Sequence, residues 1–245
     1  MLLAVSLLSA LVVGLIGYSS GRESLRKAAF DQLTTVRELR VSALEDTMAN
    51  VSKGVVLDSR NLSAQTASRL LNEGFENLQS RSLTTAQEAE LQKYYAETFV
   101  PQLVTATGQS YGPAAFMPTS NAGRWLQYHY TAQFTDFDKA LDVDDANDGG
   151  TPFSKAAQQY GDYLSRLVKQ VGYEDVLFLN LKGDVVYSAY KGVDLGSNVT
   201  TGPYRDTMLA TAYRDVLATN SVSAVRTTDF ERYIPSLNVP TMWVL

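Results

Sequence analysis

Tyr173-Glu174-Asp175-Val176-Leu177-Phe178-Leu179-Asn180-Leu181-Lys182-Gly183-Asp184-Val185-Val186-Tyr187-Ser188-Ala189-Tyr190 is the stretch on which the fold turns. Two runs rich in Val, Leu, Phe and Tyr flank a Lys-Gly-Asp corner, which predicts a β-hairpin with Gly183 supplying the positive φ of the turn. A Gly/Asn/Ser loop, Asp194 to Asn198, follows. Thr201-Gly202-Pro203-Tyr204 then predicts a helix start, with Pro203 at the first position, where its missing N–H goes unused. Leu209, Ala212, Tyr213, Val216 and Leu217 recur at helical spacing, the apolar stripe of a helix lying on a sheet. Hairpin, loop and helix together predict an α+β fold with an antiparallel sheet, one face packed and one free to receive a molecule.

Composition narrows the chemistry. The 245 residues, 45% hydrophobic, suffice for one sizeable core or two small ones. A net charge of -5 speaks against a nucleic-acid partner, which calls for clustered Lys and Arg to neutralise phosphates. The absence of cysteine removes disulfides, Cys-ligated zinc and thiol catalysis, and a single histidine, His129, removes most metal and triad chemistry. No cofactor is expected.

Outward from the hairpin toward the N-terminus, Met1 to Tyr18 carries no charge. A helix of that length spans roughly 27 Å at about 1.5 Å per residue, close to a hydrocarbon core of roughly 30 Å. A membrane anchor is the preferred reading over a cleaved signal peptide, since no basic region precedes the apolar run and no A-x-A site follows it, and over a buried core helix. Arg22, Arg26 and Lys27 just after the span favour, by charge alone, a cytoplasmic C-terminal side. From Glu23 to Leu78 there is no proline, and Leu25, Ala29, Leu33 and Val36, then Val41, Leu44, Met48, Val51 and Val55, predict a long stalk helix that Gly54 or Gly74 can bend or break. A lone amphipathic rod cannot bury its stripe, so the stalk predicts a homodimer.

Thr84, Thr85 and Glu88 predict a capped helix from Ala89 to Val104. Gly108-Gln109-Ser110-Tyr111-Gly112 matches G-x-S-x-G, but a helix precedes it, Pro113 follows it and no carboxylate stands between Ser110 and His129, so hydrolase chemistry is set aside. Arg124-Trp125-Leu126-Gln127-Tyr128-His129-Tyr130 is the densest cluster of aromatic and hydrogen-bonding side chains. It reads as a helix packed by its aromatics or as a pocket wall for a small anion or zwitterion. Asp142 to Gly150 invites a calcium loop. With Asp145 at the first position, however, Ala156 falls at the twelfth, where a bidentate Glu is required, so an EF-hand fails and a solvated loop is favoured over an irregular cation site, with no metal ligand assigned. Ser154 to Val171 predicts a helix ended by Gly172, and Val222 to Phe230 and Val239 to Leu245 predict further strands broken near Pro235 and Pro240. The sheet is expected to be incomplete at Leu245.

The order of these features resembles the extracytoplasmic sensor region of bacterial transmembrane receptors of the Cache, or PAS-like, type. The resemblance runs from the apolar span and Arg26-Lys27-Ala28-Ala29-Phe30-Asp31-Gln32-Leu33 through Trp125 to Tyr130 and the acidic loop. It continues with Gly172 to Leu179, Gly183 to Ser188 and Gly202-Pro203-Tyr204. It implies a transmembrane helix at residues 1–19, a stalk at 20–82, a helical part of the sensor at 83–172 and a PAS-like sheet at 173–245. It also implies that the chain from about residue 20 lies outside the cytoplasm of the cell membrane, against the three basic residues. Such regions serve chemoreceptors, sensor histidine kinases and class III adenylate or guanylate cyclases, with the cyclase output preferred. By the same resemblance a small-molecule ligand is expected at Arg124, Trp125, Tyr128 and Tyr130 from the helix, and at Tyr187, Lys191, Asp194 and Asp229 from the sheet and its loops. Two other classes stay open: an anchored enzyme using Asp142, Asp144 and Asp194, and a structural ectodomain without a ligand.

Overall fold

The computed structural model describes residues 2–134, 137–219, 221–222 and 224–245. Met1, in the predicted span, and Ser223, in the predicted strand from Val222, lie outside the described residues. The chain divides into two compact units, one ending at Lys53 and one running from Gly54 to Leu245. The first is a single helix, α1, which starts at Leu2 and continues to Arg60. It is long and apolar enough to cross a membrane, and none of its apolar window is buried.

In the second unit, α1 ends where Asn61 leaves helical geometry and caps α2 (Leu62–Leu78) by accepting a hydrogen bond from the Ser63 amide. The break therefore falls at Asn61, and both Gly54 and Gly74 sit inside helices. Gly74 has a packing role: a Cβ there would lie 2.5 Å from Phe153 Cα, so α2 and α7 (Pro152–Val171) touch backbone to backbone. Between them come α3 (Thr85–Tyr94), a π-helical turn (Tyr95–Phe99), α4 (Val100–Thr107), α5 (Asn121–Leu126), a second π turn (Gln127–Thr131) and α6 (Phe137–Leu141). The cap of α3 is a box closed by Thr84 and Gln87 rather than Glu88. α7 is capped by Thr151 and ends on Gly172 in the left-handed conformation.

The hairpin forms as its sequence dictates: β1 (Leu177–Leu179) pairs antiparallel with β2 (Val185–Ser188) around Gly183 at φ 87°. Residues 196–199 run along the other edge of β2, with the Val185 amide donating to Ser197 O and the Gly196 amide to Val185 O, each at 2.8 Å. The covering helix α8 (Met208–Ala218) starts later than predicted. Thr201 to Thr207 form turns, and Thr207, not the Pro203 corner, caps it. A Thr hydroxyl meets the orphan amides that a proline can only avoid. Farther on, β3 (Glu231–Tyr233) pairs with β4 (Val239–Thr241), placing Pro240 within a strand at a position facing Arg232. Among the described residues of the predicted Val222–Phe230 strand, a bridge between Thr227 and Val244 and neighbouring backbone bonds are formed.

Among the described residues, three apolar clusters hold the second unit. Leu71, Phe75, Leu126, Tyr130, Phe153, Leu164 and Val186 make one. Leu91, Tyr95, Phe99, Leu103 and Tyr204 make another, and Val185, Val199, Leu209, Tyr213 and Tyr233 a third. Because neighbouring strand residues point to opposite faces, Val185 and Val186 enter different clusters. β2 is buried at every position. Among the described residues, α8 packs on one side of β2 and α2 and α7 on the other, while β1 stays half-buried and the β3–β4 pair keeps exposed positions. Polar side chains gather instead where the chain leaves β2.

Candidate functional site

Asp175 sets the geometry at that exit. Its Oδ1 accepts from the amides of Val176 (2.7 Å), Ala189 (2.9 Å) and Tyr190 (3.2 Å), and its Oδ2 accepts from Ser188 Oγ (2.7 Å). One carboxylate thus fastens the entry of β1 to the exit of β2. Burial still outweighs these bonds and, with the Asp194 charge next in size, pushes the Asp175 carboxyl up to about 7.

Lys191 follows directly. It holds φ at 53°, a region that costs a non-glycine residue energy and persists only when its surroundings impose it. Its side chain is 4% exposed, and Nζ lies 5.7 Å from the centre of the Tyr187 ring with no hydrogen-bond partner among the described residues. Burial pulls the ammonium down to about 8, against the opposing charges of Asp144, Asp175 and Asp142 in that order. Asp144 comes from the acidic loop before α7, and its carboxylate rests on Gly161, where a Cβ would fall 1.8 Å from Oδ1. Burial raises the Asp144 carboxyl, with Lys191 the largest opposing influence. Lys191 and Asp144 therefore sense one another without forming an ion pair.

A second buried group stands on the far side of Gly192. Asp194 accepts from Tyr233 Oη at 2.9 Å, and burial pushes it up to about 6. The loop carrying it is locked to the π turn by Gln127, whose Nε2 donates to Val193 O (2.7 Å) and Leu195 O (2.9 Å) while Oε1 accepts from Tyr95 Oη (2.5 Å). Gly123 and Gly196 let the two backbones meet, since a Cβ on Gly123 would lie 2.4 Å from Gly196 O.

The eight residues predicted for ligand binding separate into groups. Tyr187, Lys191 and Tyr130 come together: Tyr130 is fully buried, stacks edge-on to Phe153, and its hydroxyl, raised by burial and by Asp148 and Asp145, lies in the electrostatic range of Tyr187. Asp194 is buried in the neighbouring tyrosine-rich cluster. Arg124 turns to α3, where it pairs with Glu88 at 3.2 Å, and Tyr128 donates to Glu90 at 2.9 Å. Trp125 carries Arg81 on its face at 5.3 Å and packs on His129. Asp229 is exposed and accepts from the amide of its own neighbour Phe230. The four residues of the 124–130 segment lie on one helix that passes into π geometry at Gln127, and they face different neighbours, Tyr130 pointing to the core while Arg124 and Tyr128 turn to α3.

Sequence reasoning did not single out Asp175 or Gln127, nor Asp144 as a partner of Lys191. A carboxylate just ahead of an apolar run, followed thirteen residues later by Ser188, was the available signal for Asp175. The pairing of Lys191 with Asp144 spans far too much chain for spacing to reveal. Asp142 is engaged by Lys169, which takes it out of any free carboxylate set. Among the described residues no group of three or more His, Asp or Glu is arranged to hold a metal. No family model, curated protein or solved structure matches the chain.

Proposed function

We propose that this chain is the ligand-sensing part of a membrane-anchored signal receptor, with the residues after the apolar helix outside the cytoplasm and a signalling output, preferentially a nucleotide cyclase, inside. The observation that carries this reading is Lys191: a buried ammonium without a hydrogen bond among the described residues, held at a strained φ beside an aromatic ring, costs stability and offers a binding capacity. The exposed apolar side chains Leu3, Leu7, Leu8, Leu11, Leu15 and Ile16 support anchorage in lipid. Ligand entering beside β2 would bias the second unit between two states by its differential affinity for them, and a pair of α1 helices would carry the difference.

Topology and sensing are tested separately. Because the chain has no cysteine, single cysteines at Ser59 and Gln158 report location without background. In intact cells both react with a membrane-impermeant maleimide; labelling only after lysis places them in the cytoplasm and overturns the orientation. A metabolite screen by thermal shift on the detergent-solubilised chain gives at least one stabilising small molecule. A flat screen removes the sensing function.

A further inference from the structure

α1 carries its first charges immediately past the apolar run. Residues 2 to 21 are uncharged, and a helix of that length rises roughly 30 Å, the thickness of a hydrocarbon core. Tyr18, 71% exposed, stands one turn before Arg22, where an aromatic side chain favours the membrane interface. Arg22 and Arg26 follow at about 1.5 and 7.5 Å beyond the run, the depth of the headgroup layer.

The two arginines are set apart from the other charges at this level. They lie one turn apart on the ridge that carries Tyr18 and Phe30, and the Arg26 guanidinium lies over the Phe30 ring at 5.7 Å. Lys27 sits on the neighbouring ridge between Glu23 and Asp31, each four residues away, so countercharge is at hand. The arginine ridge carries no acid there, and neither arginine forms an ion pair among the described residues. Like charges one turn apart repel in water, and an anion between them makes the same arrangement favourable.

Depth and chemistry select the anion. A guanidinium held on a ring keeps its N–H edges open, and its planar fork matches the free oxygens of a phosphodiester. At this depth the phosphodiester within reach is that of a phospholipid, and an anionic lipid supplies the net charge that a zwitterionic one lacks. The orientation proposed above runs against the charge bias of these residues. Pairing of two α1 helices along Leu25 and Ala29 also brings the arginines of both copies to one level. An anionic headgroup offsets both costs. We propose that Arg22 and Arg26 form a clasp for the phosphodiester of an anionic phospholipid, fixing the level at which α1 leaves the bilayer. This rests on the membrane-anchored reading and adds a lipid partner to it.

The test gives the full chain, in nonionic detergent, equimolar short-chain phosphatidylglycerol and phosphatidylcholine, and native mass spectrometry counts the lipids retained. Phosphatidylglycerol is retained several-fold over phosphatidylcholine. The double variant Arg22→Gln, Arg26→Gln retains the two equally, its helix kept by a good helix former and checked by ellipticity. Lys27→Gln leaves the preference in place, and millimolar inorganic phosphate does not displace the lipid. Equal retention by the parent chain, or a preference surviving the double substitution, overturns the clasp. So does an equal loss in Lys27→Gln, which indicates diffuse attraction to net charge. Displacement by free phosphate overturns the lipid as partner. A second arm separates the two readings: the chain reconstituted in phosphatidylcholine vesicles stays with them in alkaline carbonate. Extraction by carbonate overturns the anchored reading and the clasp with it, whereas retention without a lipid preference overturns the clasp alone.

Discussion

At the scale of single residues, the groups around the exit of β2 share one tendency: burial drives each toward its neutral form. Asp175 is pushed up to about 7, Asp194 up to about 6 and Lys191 down to about 8. The consequence for stability has a definite sign. An acid whose carboxyl titrates higher in the folded state than in the unfolded chain, where Asp loses its proton near its ordinary value of about 4, binds more protons when folded across that interval. Its contribution to stability is full below about pH 4 and is lost as pH rises toward 7. Asn at position 175 keeps an acceptor for the amides and removes the charge, and its amide N–H donates to Ser188 Oγ in place of the hydrogen bond that Ser188 donates to the carboxylate. We expect Asp175→Asn to flatten the decline of Tm between pH 4.5 and 7.5 relative to the parent chain, read by circular dichroism at a series of pH values. An unchanged slope would show that the Asp175 carboxyl is ionised throughout that range.

At the scale of elements, α2 and α7 each carry an interior glycine, and the two make opposite predictions. A methyl on Gly74 meets the Phe153 backbone at 2.5 Å, and two helix backbones cannot both yield. Gly74→Ala should destabilise by about 1–3 kcal/mol, the usual cost of overpacking, measured by chemical denaturation. A methyl on Gly161 meets only the tip of the Asp144 side chain, which can swing aside. Gly161→Ala should leave stability unchanged or higher, since Ala is favoured over Gly in a helix by about 1 kcal/mol. The same pair shows what the sequence makes legible. Local chemistry predicted the β1–β2 turn at Gly183, the Thr84 cap region and the end of α7 at Gly172, because each depends on residues a few positions apart. The start of α8 was misread from Pro203, and the helix break was assigned to glycines, because a Thr207 or Asn61 cap competes with those signals and tertiary contact decides between them. The role of Gly161 depends on a loop residue seventeen positions earlier, a contact that no periodicity encodes.

At the scale of the whole molecule, the two units pose different physical problems. All three buried clusters draw on residues from Ala64 onward, so Gly54 to Leu245 contains its own core. The first unit has none: Leu25 is 75% exposed, Leu33 65% and Val36 46%, far more apolar surface than a solvated rod can carry without a partner. The proposed partner is a second copy of the same helix, because a pair of rods buries that stripe and supplies the two-state element a receptor requires. At 100° per residue, Leu25, Ala29, Leu33 and Val36 fall within one quadrant of the helix, and Lys27, Asp31 and Glu38 fall on the opposite side. Single cysteines placed at each of these seven positions in membranes should therefore form disulfide-linked dimers strongly at the first four and weakly at the last three. Uniform cross-linking, or a maximum on the Lys27 face, would exclude this pairing and leave the apolar stripe to a different partner. If the pattern holds, repeating it with a stabilising metabolite present asks whether occupancy at Lys191 changes the yield along the stripe, as coupling between the site and the paired helices requires.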